Sequence, residues 1–238
     1  PTTGQVLYHG MPLKGVNPGI SIVFQSFALY PWMTVLENVE IVLKAKGSPR
    51  DEVKRLSDKS IRLVGLAGYE EAYPRELSGG MKQRVGIARA LVVEPEILCM
   101  DEPFSQVDAL TAETLRAEVL DIWSCAERNP TTVFIVSHDI KEVVSMADRI
   151  VIMGNNPGSI RSILQNTLSR PRNSRTLEFL SLVDRIHHII TSAIIPDEEI
   201  PITAAKVPSE ILLEPLPEVS VNEIIGLLEF LDVHQGEE

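Results

Sequence analysis

The sequence predicts an α/β fold built on a parallel sheet, followed by a C-terminal extension of different character. Three observations carry this. Residues 97–100 (ILCM) and 133–136 (VFIV) are short, wholly apolar runs, which suit strands covered on both faces. The stretch between them, 109–127, is helical, with Leu115, Val119, Ile122, Trp123 and Ala126 recurring on one side, so strand, helix and strand follow in the βαβ manner. Near residue 166 the pattern changes to a long amphipathic repeat and then to a cluster of prolines.

The elements follow in order. Residues 5–8 (QVLY) and 20–24 (ISIVF) read as short strands separated by a Gly/Pro turn region. From Thr34 on, Val35, Leu36, Val39, Val42 and Leu43 recur at three- and four-residue steps, which predicts a helix. A second helix runs from about Arg50 to Leu66, after the breaker Gly47-Ser48-Pro49. A loop, YEEAYPRELSGG, leads into a helix over 81–92. After VFIV come a helix (139–147) and a strand (149–153), and the turn Asn155-Asn156-Pro157-Gly158 lets 159–164 return as a hairpin partner. Residues 174–195 form an amphipathic helix through Leu177, Leu180, Val183, Ile186, Ile190 and Ile194. Pro196, Pro201, Pro208, Pro215 and Pro217 then forbid a helix or a central strand. Val221–Val233 reads as a last helix, with Ile224, Ile225, Leu228 and Leu231 on one face, and the chain is expected to be cut inside a small second domain. The expected domains are 1–165, with a helical subdomain at about 34–80, and 166–238.

Composition narrows the class. The chain has 238 residues, 44% of them hydrophobic and 23% charged, which excludes wholesale disorder and a collagenous or coiled-coil chain. No run of 18 apolar residues suits a bilayer span, and PTTGQVLYHG shows no signal-peptide pattern. The net charge of −11 is uneven: residues 1–165 carry 17 basic and 20 acidic side chains, residues 166–238 carry 5 and 13. Such a tail repels phosphate backbones, which speaks against a nucleic-acid partner. Cys99 and Cys125 lack metal-like spacing and read as reduced thiols of a cytosolic chain. His187-His188 reads as a solvated pair, Asp197-Glu198-Glu199 as a solvated linker and Trp123 as core.

Four features carry chemistry. Leu77-Ser78-Gly79-Gly80-Met81-Lys82-Gln83-Arg84 stands just before a helix. Bare backbone N–H groups at two glycines, with the positive end of a helix dipole, form a phosphate-sized anion site. The run ILCM leads into Asp101-Glu102-Pro103. Carboxylates at the C-terminal end of a buried parallel strand sit where α/β sheets bind ligands. An aspartate there can hold Mg²⁺, and a glutamate beside it can orient or deprotonate a water. The run VFIV ends in Ser137-His138-Asp139, where His138 can reach a terminal phosphate while its neighbours cap the next helix. Gln25 ends ISIVF, placed to bond water or metal.

These features, in this order, resemble the ATP-binding subunit of ABC transporters. LSGGMKQR looks like the family signature, ILCMDEP like its Walker B strand with the catalytic glutamate, Gln25 in VFQSFALYPW like the Q-loop, Ser105-Gln106-Val107-Asp108 like the D-loop, and His138 like the switch histidine. The resemblance covers about residues 1–165. It implies a P-loop NTPase fold, a RecA-like core with a helical subdomain, incomplete in this chain and followed by a partial, mainly helical extension. It implies two subunits paired head to tail as a homodimer, with ATP and Mg²⁺ between them. On that reading Ser78, Gly79 and Gly80 hold the γ-phosphate of the partner's nucleotide, with Gln83 and Asp108 in the same nucleotide-binding set. Asp101 and Gln25 serve the metal, Glu102 polarises the attacking water, Gln25 senses both, and His138 touches the γ-phosphate. Asp108 also contacts the opposite subunit.

Two departures stand out. Met81 takes a place where glutamine is the commonest family choice. No G-x-x-x-x-G-K-[ST] occurs in these residues, so the lysine and amide cradle of the phosphate loop are not in the sequence. The chain therefore reads as a fragment of a complete ATPase, expected to bind ATP poorly by itself and to be inactive alone. FALYPWMTVLENV resembles the importer branch for nitrate, sulfonates, taurine and bicarbonate, and in the family this region faces the membrane subunit. LPEVSVNEIIGLLEFLDVH resembles the start of a C-terminal accessory domain found in that branch. The resemblance thus implies an energy-coupling ATPase at the cytoplasmic face of the membrane. Its partners are a transmembrane permease, a second ATP-binding subunit and, indirectly, an extracytoplasmic solute-binding protein. The rival reading is a non-hydrolysing regulatory module derived from such an ATPase. A soluble ABC ATPase of DNA repair or translation fits less well, because no tandem cassette or long insertion is present.

Overall fold

A computed structural model describes residues 3–124, 129–154, 158–191 and 223–228. The chain packs as two compact units, Pro1–Phe134 and Ile135–Glu238. This division follows packing, whereas the boundary expected near residue 165 follows a change in composition and remains a proposal about domains.

The first unit opens with a small antiparallel hairpin, β1 (Leu7–Tyr8) and β2 (Met11–Pro12). The hairpin is tied down at Glu96, whose carboxylate accepts from the Tyr8 hydroxyl and stands 2.8 Å from His9 Nε2. The Tyr8 hydrogen bond first, and the His9 one second, hold the Glu96 carboxyl below its ordinary range. Strand β3 (Ile20–Val23) pairs in parallel with β4 (Ile97–Asp101), from Ile20 opposite Ile97 to Val23 opposite Met100. Along β4, Leu98 and Met100 are buried, and Cys99 between them is half-buried and free.

Helix α1 (Val35–Ala45) begins in a capping box: the Thr34 hydroxyl accepts from the Glu37 N–H, and the Glu37 carboxylate accepts from the Thr34 N–H. Helix α2 (Arg50–Leu63) has Asp51 and Glu52 in its first turn, against the helix dipole, and stops short of the expected Leu66. The chain leaves it through Gly65 at a φ of 70°, a left-handed conformation that suits glycine. After one 3₁₀ turn (Pro74–Glu76) comes α3 (Gly79–Leu91), which packs on both earlier helices. Val39, Leu43, Ile61, Val85, Ile87 and Leu91 are buried there. Helix α4 (Ala109–Ser124) buries Ala112, Leu115 and Val119 and is joined to α3 by an Arg84–Glu118 ion pair at 2.6 Å. Trp123 is half-buried, and its Nε1 donates to the Thr131 carbonyl at 3.2 Å.

Strand β5 (Thr132–Ser137) leads into the second unit. There follow α5 (Ile140–Met146), β6 (Arg149–Gly154), β7 (Ser159–Gln165), α6 (Leu177–Thr191) and β8 (Glu223–Leu228). Strands β6 and β7 form the expected hairpin, with a register shift between Ile152 and Met153. The carbonyl end of α5 is closed by two side chains. Asn166 Nδ2 donates to the carbonyls of Val144 and Ala147, and Arg172 donates to the carbonyl of Ala147 and to Asp148. Helix α6 buries Phe179, Ile186 and Ile190 and leaves His187 and His188 exposed.

One expectation is overturned. Within the segment Val221–Val233, read as a helix, the described residues Glu223–Leu228 form a strand parallel to β6, with Arg149 opposite Ile225 and Ile152 opposite Leu228. A mainly helical extension is therefore corrected to one that also supplies a sheet strand. The physical reason is local and tertiary at once: two β-branched isoleucines and a glycine disfavour a helix, and a parallel neighbour offers the pairing. Cys125, the Asn155–Pro157 part of the turn, the five prolines and the Asp197–Glu199 run lie outside the described residues.

Candidate functional site

In the first unit, β3 and β4 end at the same level. Gln25 follows two residues beyond Val23, and Glu102 two residues beyond Met100, the last paired positions. Parallel pairing thus delivers Gln25 and Asp101-Glu102 to the same end of two neighbouring strands, the carboxyl end where such sheets hold ligands. Gln25 and Asp101 are exposed and Glu102 is half-buried. Glu102 has a φ of 46°, a left-handed conformation that costs a non-glycine residue about 1 kcal/mol or more. The carbonyl of Glu102 is held by Ser105, which donates through its hydroxyl at 2.9 Å and its N–H at 3.2 Å. Ser105 is therefore the residue that fixes the strained turn after the strand.

The signature residues start α3. Ser78 is the N-cap, its Oγ accepting from the Met81 N–H at 3.3 Å. A Cβ on Gly80 would stand 2.4 Å from Thr111 Cγ2, so glycine is required there by close approach to the start of α4. A Cβ on Gly79 would stand 3.6 Å from the Gln106 carbonyl, an ordinary contact distance, so close approach demands glycine at position 80 and not at 79. The signature turn and residues 106–111 therefore form one packed corner. Asp108 organises that corner: its carboxylate accepts from the Thr111 N–H at 3.0 Å and from the Thr111 hydroxyl at 2.6 Å. The hydroxyl bond first, and the N–H bond second, hold the Asp108 carboxyl below its ordinary value. Gln83 is fully buried on α3, and neither of its side-chain polar atoms has a partner among the described residues.

The far side of α3 grips the segment after Gln25. Arg89 donates to the carbonyls of Phe27 and Ala28, two residues with φ of 57° and 48°. Burial lowers the pKa of this guanidinium, which pairs with no carboxylate among the described residues. Arg89 lines an open groove of about 330 Å³ with Ile22, Phe24, Tyr30 and Val42. Beside it Trp32 is 68% exposed, its ring 5.7 Å from that of Tyr30. The loop between is shaped by buried Asn38, whose side chain bonds the Tyr30 N–H and the carbonyls of Tyr30, Met33 and Thr34.

In the second unit, His138 is exposed just past β5. Asp139 caps α5, accepting from the N–H groups of Lys141 at 2.8 Å and Glu142 at 3.2 Å. Ser137 Oγ accepts from the Asp139 N–H at 3.1 Å.

For a metal, the donor set is oxygen only: the Asp101 carboxylate and the Gln25 amide oxygen, both open to solvent. Among the described residues no three His, Cys, Asp or Glu side chains cluster as a metal cage. One carboxylate with open positions suits Mg²⁺, which keeps its waters and takes phosphate oxygens, better than zinc or calcium. Sequence reasoning placed Ser105 in the D-loop without its hold on the Glu102 carbonyl, and missed Thr111, Arg89 and Asn38. The spacing Asp108-x-x-Thr111 is a readable helix-cap signal, whereas Arg89 reaches carbonyls about sixty positions earlier and Asn38 bonds only the backbone of the loop before its helix, which no side-chain pattern marks.

Residues 1–105 match the family described as ABC transporter. An uncharacterized ABC transporter ATP-binding protein of Methanocaldococcus jannaschii, MJ0412, is 44% identical over 195 residues, covering 82% of this chain and 72% of that one. The aliphatic sulfonates import ATP-binding protein SsuB of Bacillus anthracis is 39% identical over 184 residues, covering 77% and 70%. The nitrate import ATP-binding protein NrtD of Synechocystis is 40% identical over 176 residues, covering 74% and 64%. Among solved structures, the dimeric post-hydrolysis ATP-binding cassette MJ0796 bound to ADP and Pi matches with a TM-score of 0.59 at 27% identity, covering 71% of this chain and 76% of that one.

Proposed function

The chain belongs to the family of ABC transporter ATP-binding proteins, and on that premise we propose that it drives import of a small anion such as nitrate, a sulfonate, taurine or bicarbonate. The coarser role is that of the family: an ATPase that couples nucleotide hydrolysis to transport. The anion rests on likeness to sulfonate and nitrate import proteins and on the FALYPWMTVLENV segment.

The observation that carries the site is the parallel pairing of β3 and β4, which supports one shared place for Gln25, Asp101 and Glu102. Glu102 would polarise the attacking water, its backbone held by Ser105. Asp101, with Gln25, would hold Mg²⁺, which when bound neutralises charge on the phosphates. Ser78 and the N–H groups of Gly79 and Gly80 would bind the terminal phosphate of a nucleotide held by a second copy, with Asp108 keeping their corner rigid. His138 would bond the same phosphate of its own nucleotide. Phosphoryl transfer asks mainly for positioning and charge stabilisation, and closure of two copies completes both. The exposed Trp32 and Tyr30 beside the Arg89 groove support docking of a transmembrane permease at that face. Such a subunit would work at the cytoplasmic side of the membrane; no described helix is long and apolar enough to cross it.

Two experiments test this. A strand–GxxxxGK[ST]–helix segment from a relative, fused ahead of residue 1, is expected to give Mg²⁺-dependent ATP hydrolysis. Glu102→Gln in that protein should lower turnover at least about a hundredfold and accumulate an ATP-bound dimer. Turnover equal to the unmodified protein removes Glu102 from its role. For the solute, uptake of labelled nitrate, taurine and bicarbonate is compared in cells with the gene deleted and restored, and loss of none of the three rejects the anion reading.

A further inference from the structure

We propose that residues 166–172 form a clasp on the carbonyl end of α5, and that Arg172 in this clasp positions His138 at the other end of the helix, which rests on the phosphate-bonding role proposed for His138. All of these residues lie in the second unit. Helix α5 has seven residues, so it is about 10 Å long and too short to stand by itself. Its last carbonyls need partners from outside the helix. A left-handed glycine turn commonly supplies them. Here the chain leaves at once: Ala147 is extended, with φ −81° and ψ 140°, and β6 starts at Arg149. The partners come instead from side chains 19 to 28 positions later. Asn166 Nδ2 donates to the Val144 carbonyl at 2.8 Å and to the Ala147 carbonyl at 3.0 Å. Arg170 donates to the carbonyl of Met146. Arg172 donates to the Ala147 carbonyl at 2.8 Å and to those of Val144 and Ser145 at 3.4 Å each. One short segment thus takes every carbonyl from Val144 to Ala147.

The clasp is itself braced. The Asn166 N–H donates to the Asp148 carbonyl at 2.8 Å. The Asp148 carboxylate accepts from Arg170 at 2.8 Å and from Arg172 at 2.9 Å. Arg172 Nε donates to the Leu168 carbonyl at 3.0 Å, within the clasp. The Arg172 side chain is 2% exposed, so a buried charge is held by these partners and by nothing else that water could replace. Two guanidiniums against one carboxylate leave positive charge at the carbonyl end of α5, and Asp139 sets negative charge at its start. Both signs suit the helix dipole and pin the helix at its two ends.

Between those ends Val143, Val144, Met146 and Ala147 are buried. A packed interior yields little, so a buried two-turn helix carries a displacement along its length instead of absorbing it. His138 is exposed and stands one residue before the cap, on the turn from Ser137 to Asp139. A shift at the clasp therefore reaches the turn that carries the imidazole. A misplacement of about 1 Å in a reacting geometry is enough for a rate loss of about a hundredfold. Arg172 is thus a positioning residue, acting on His138 through α5.

Native-state hydrogen exchange on the full chain tests the clasp without nucleotide. The amides of Lys141, Glu142 and Val143 are bonded at the cap end, and that of Asn166 at the clasp. Under rising denaturant these four should open together, as one unit. Arg172→Gln should speed exchange at Lys141, Glu142 and Val143 about tenfold or more and leave β6 unchanged, and Arg172→Lys should recover part of the protection. Faster exchange confined to Ala147, or none, overturns the proposal. Should Arg172→Gln fail to fold, Asn166→Ala is read in the same way, and separate opening of the two ends in the unmodified chain overturns the proposal by itself. Turnover then tests the link to His138 in the protein with the fused phosphate-loop segment. Arg172→Gln should lower kcat about tenfold and leave KM for ATP within about twofold, and in a His138→Ala background it should lower kcat no further. An equal loss in both backgrounds overturns positioning through His138. A His138→Ala protein as active as the unmodified one overturns the role given to His138 instead, and the exchange result still decides the clasp.

Discussion

At the start of α3 a serine hydroxyl accepts one hydrogen bond, at 3.3 Å, and the next two residues are glycines. At the start of α5 an aspartate accepts two, at 2.8 and 3.2 Å, and a serine closes the turn behind it. Both satisfy the need of a helix for partners at its first N–H groups, but they leave different chemistry behind. The Ser78 cap is neutral, and the N–H groups of Gly79 and Gly80, in the first turn, have no partner within their own helix, so an anion can take them. The Asp139 cap fills its end with a fixed negative charge, and a phosphate arriving there would meet repulsion. What the second turn can offer a phosphate is therefore the exposed His138 side chain and not its backbone. Two sequences that both read as polar residues before a helix thus support opposite roles, and the charge of the capping atom decides which.

The sharpest way to break this contrast is to give α3 the cap of α5. Ser78→Asp should hold or raise the melting temperature, since aspartate caps at least as well as serine. In the fused, phosphate-loop-bearing protein the same change should cut ATP turnover at least about a hundredfold, because a carboxylate replaces a donor at developing negative charge. Turnover within a few-fold of the unmodified protein would show that α3 does not meet the phosphate. A second change removes the close approach that keeps the glycines in place. Gly80→Val drives a side chain into Thr111 and should destabilise the first unit by about 1–3 kcal/mol in denaturant unfolding. An unchanged midpoint would mean that the corner of 78–80 and 106–111 is loose. The converse substitution at α5, Asp139→Ala, should cost about 1 kcal/mol of stability. It should leave the denaturant slope unaltered, which separates a lost cap from a change in compactness.

How much of this was readable depends on distance along the chain. The acidic pair Asp101-Glu102 is legible because an uninterrupted apolar run precedes it, and such a run is what a buried parallel strand requires. The Ser78 cap is legible from local chemistry alone. The positive φ of Glu102 is not, since nothing in the side chain announces it and the clamp is Ser105, three residues on. Arg89 and Asn38 are invisible for another reason: their partners are backbone carbonyls and an N–H, which any sequence supplies. The misread strand β8 shows the limit most plainly. Ile224, Ile225 and Leu228 satisfy a helical spacing and also belong to a short apolar run, and six residues cannot separate the two periods. The pairing that decides for a strand lies at β6, whose Arg149 faces Ile225 from 76 positions earlier.

The smallest effect separates the caps by acid. Asp108 holds the start of α4 as Asp139 holds that of α5, but its carboxylate also takes the Thr111 hydroxyl, and that bond is the chief reason its pKa lies below the ordinary 3.8. A carboxyl with a lowered pKa in the folded chain adds stability that is complete above its unfolded value and disappears as pH falls through its folded value. The contribution should therefore persist at pH 4 to 5 and decline only in more acidic solution, below about 3.8. Thr111→Val removes the hydroxyl and keeps the shape, so it should make this decline smaller and bring its lower end upward, toward the ordinary aspartate range. Asp108→Asn removes the titrating group and should flatten this part of the acid profile, measured by the denaturant midpoint between pH 2 and 5. Glu96 titrates in the same sense, its carboxyl lowered chiefly by Tyr8, and the Tyr8→Phe chain serves to subtract it. A Thr111→Val profile that overlies the unmodified one would show that the hydroxyl bond does not hold the corner, and Asp108 would then lend Gly79 and Gly80 no rigid support.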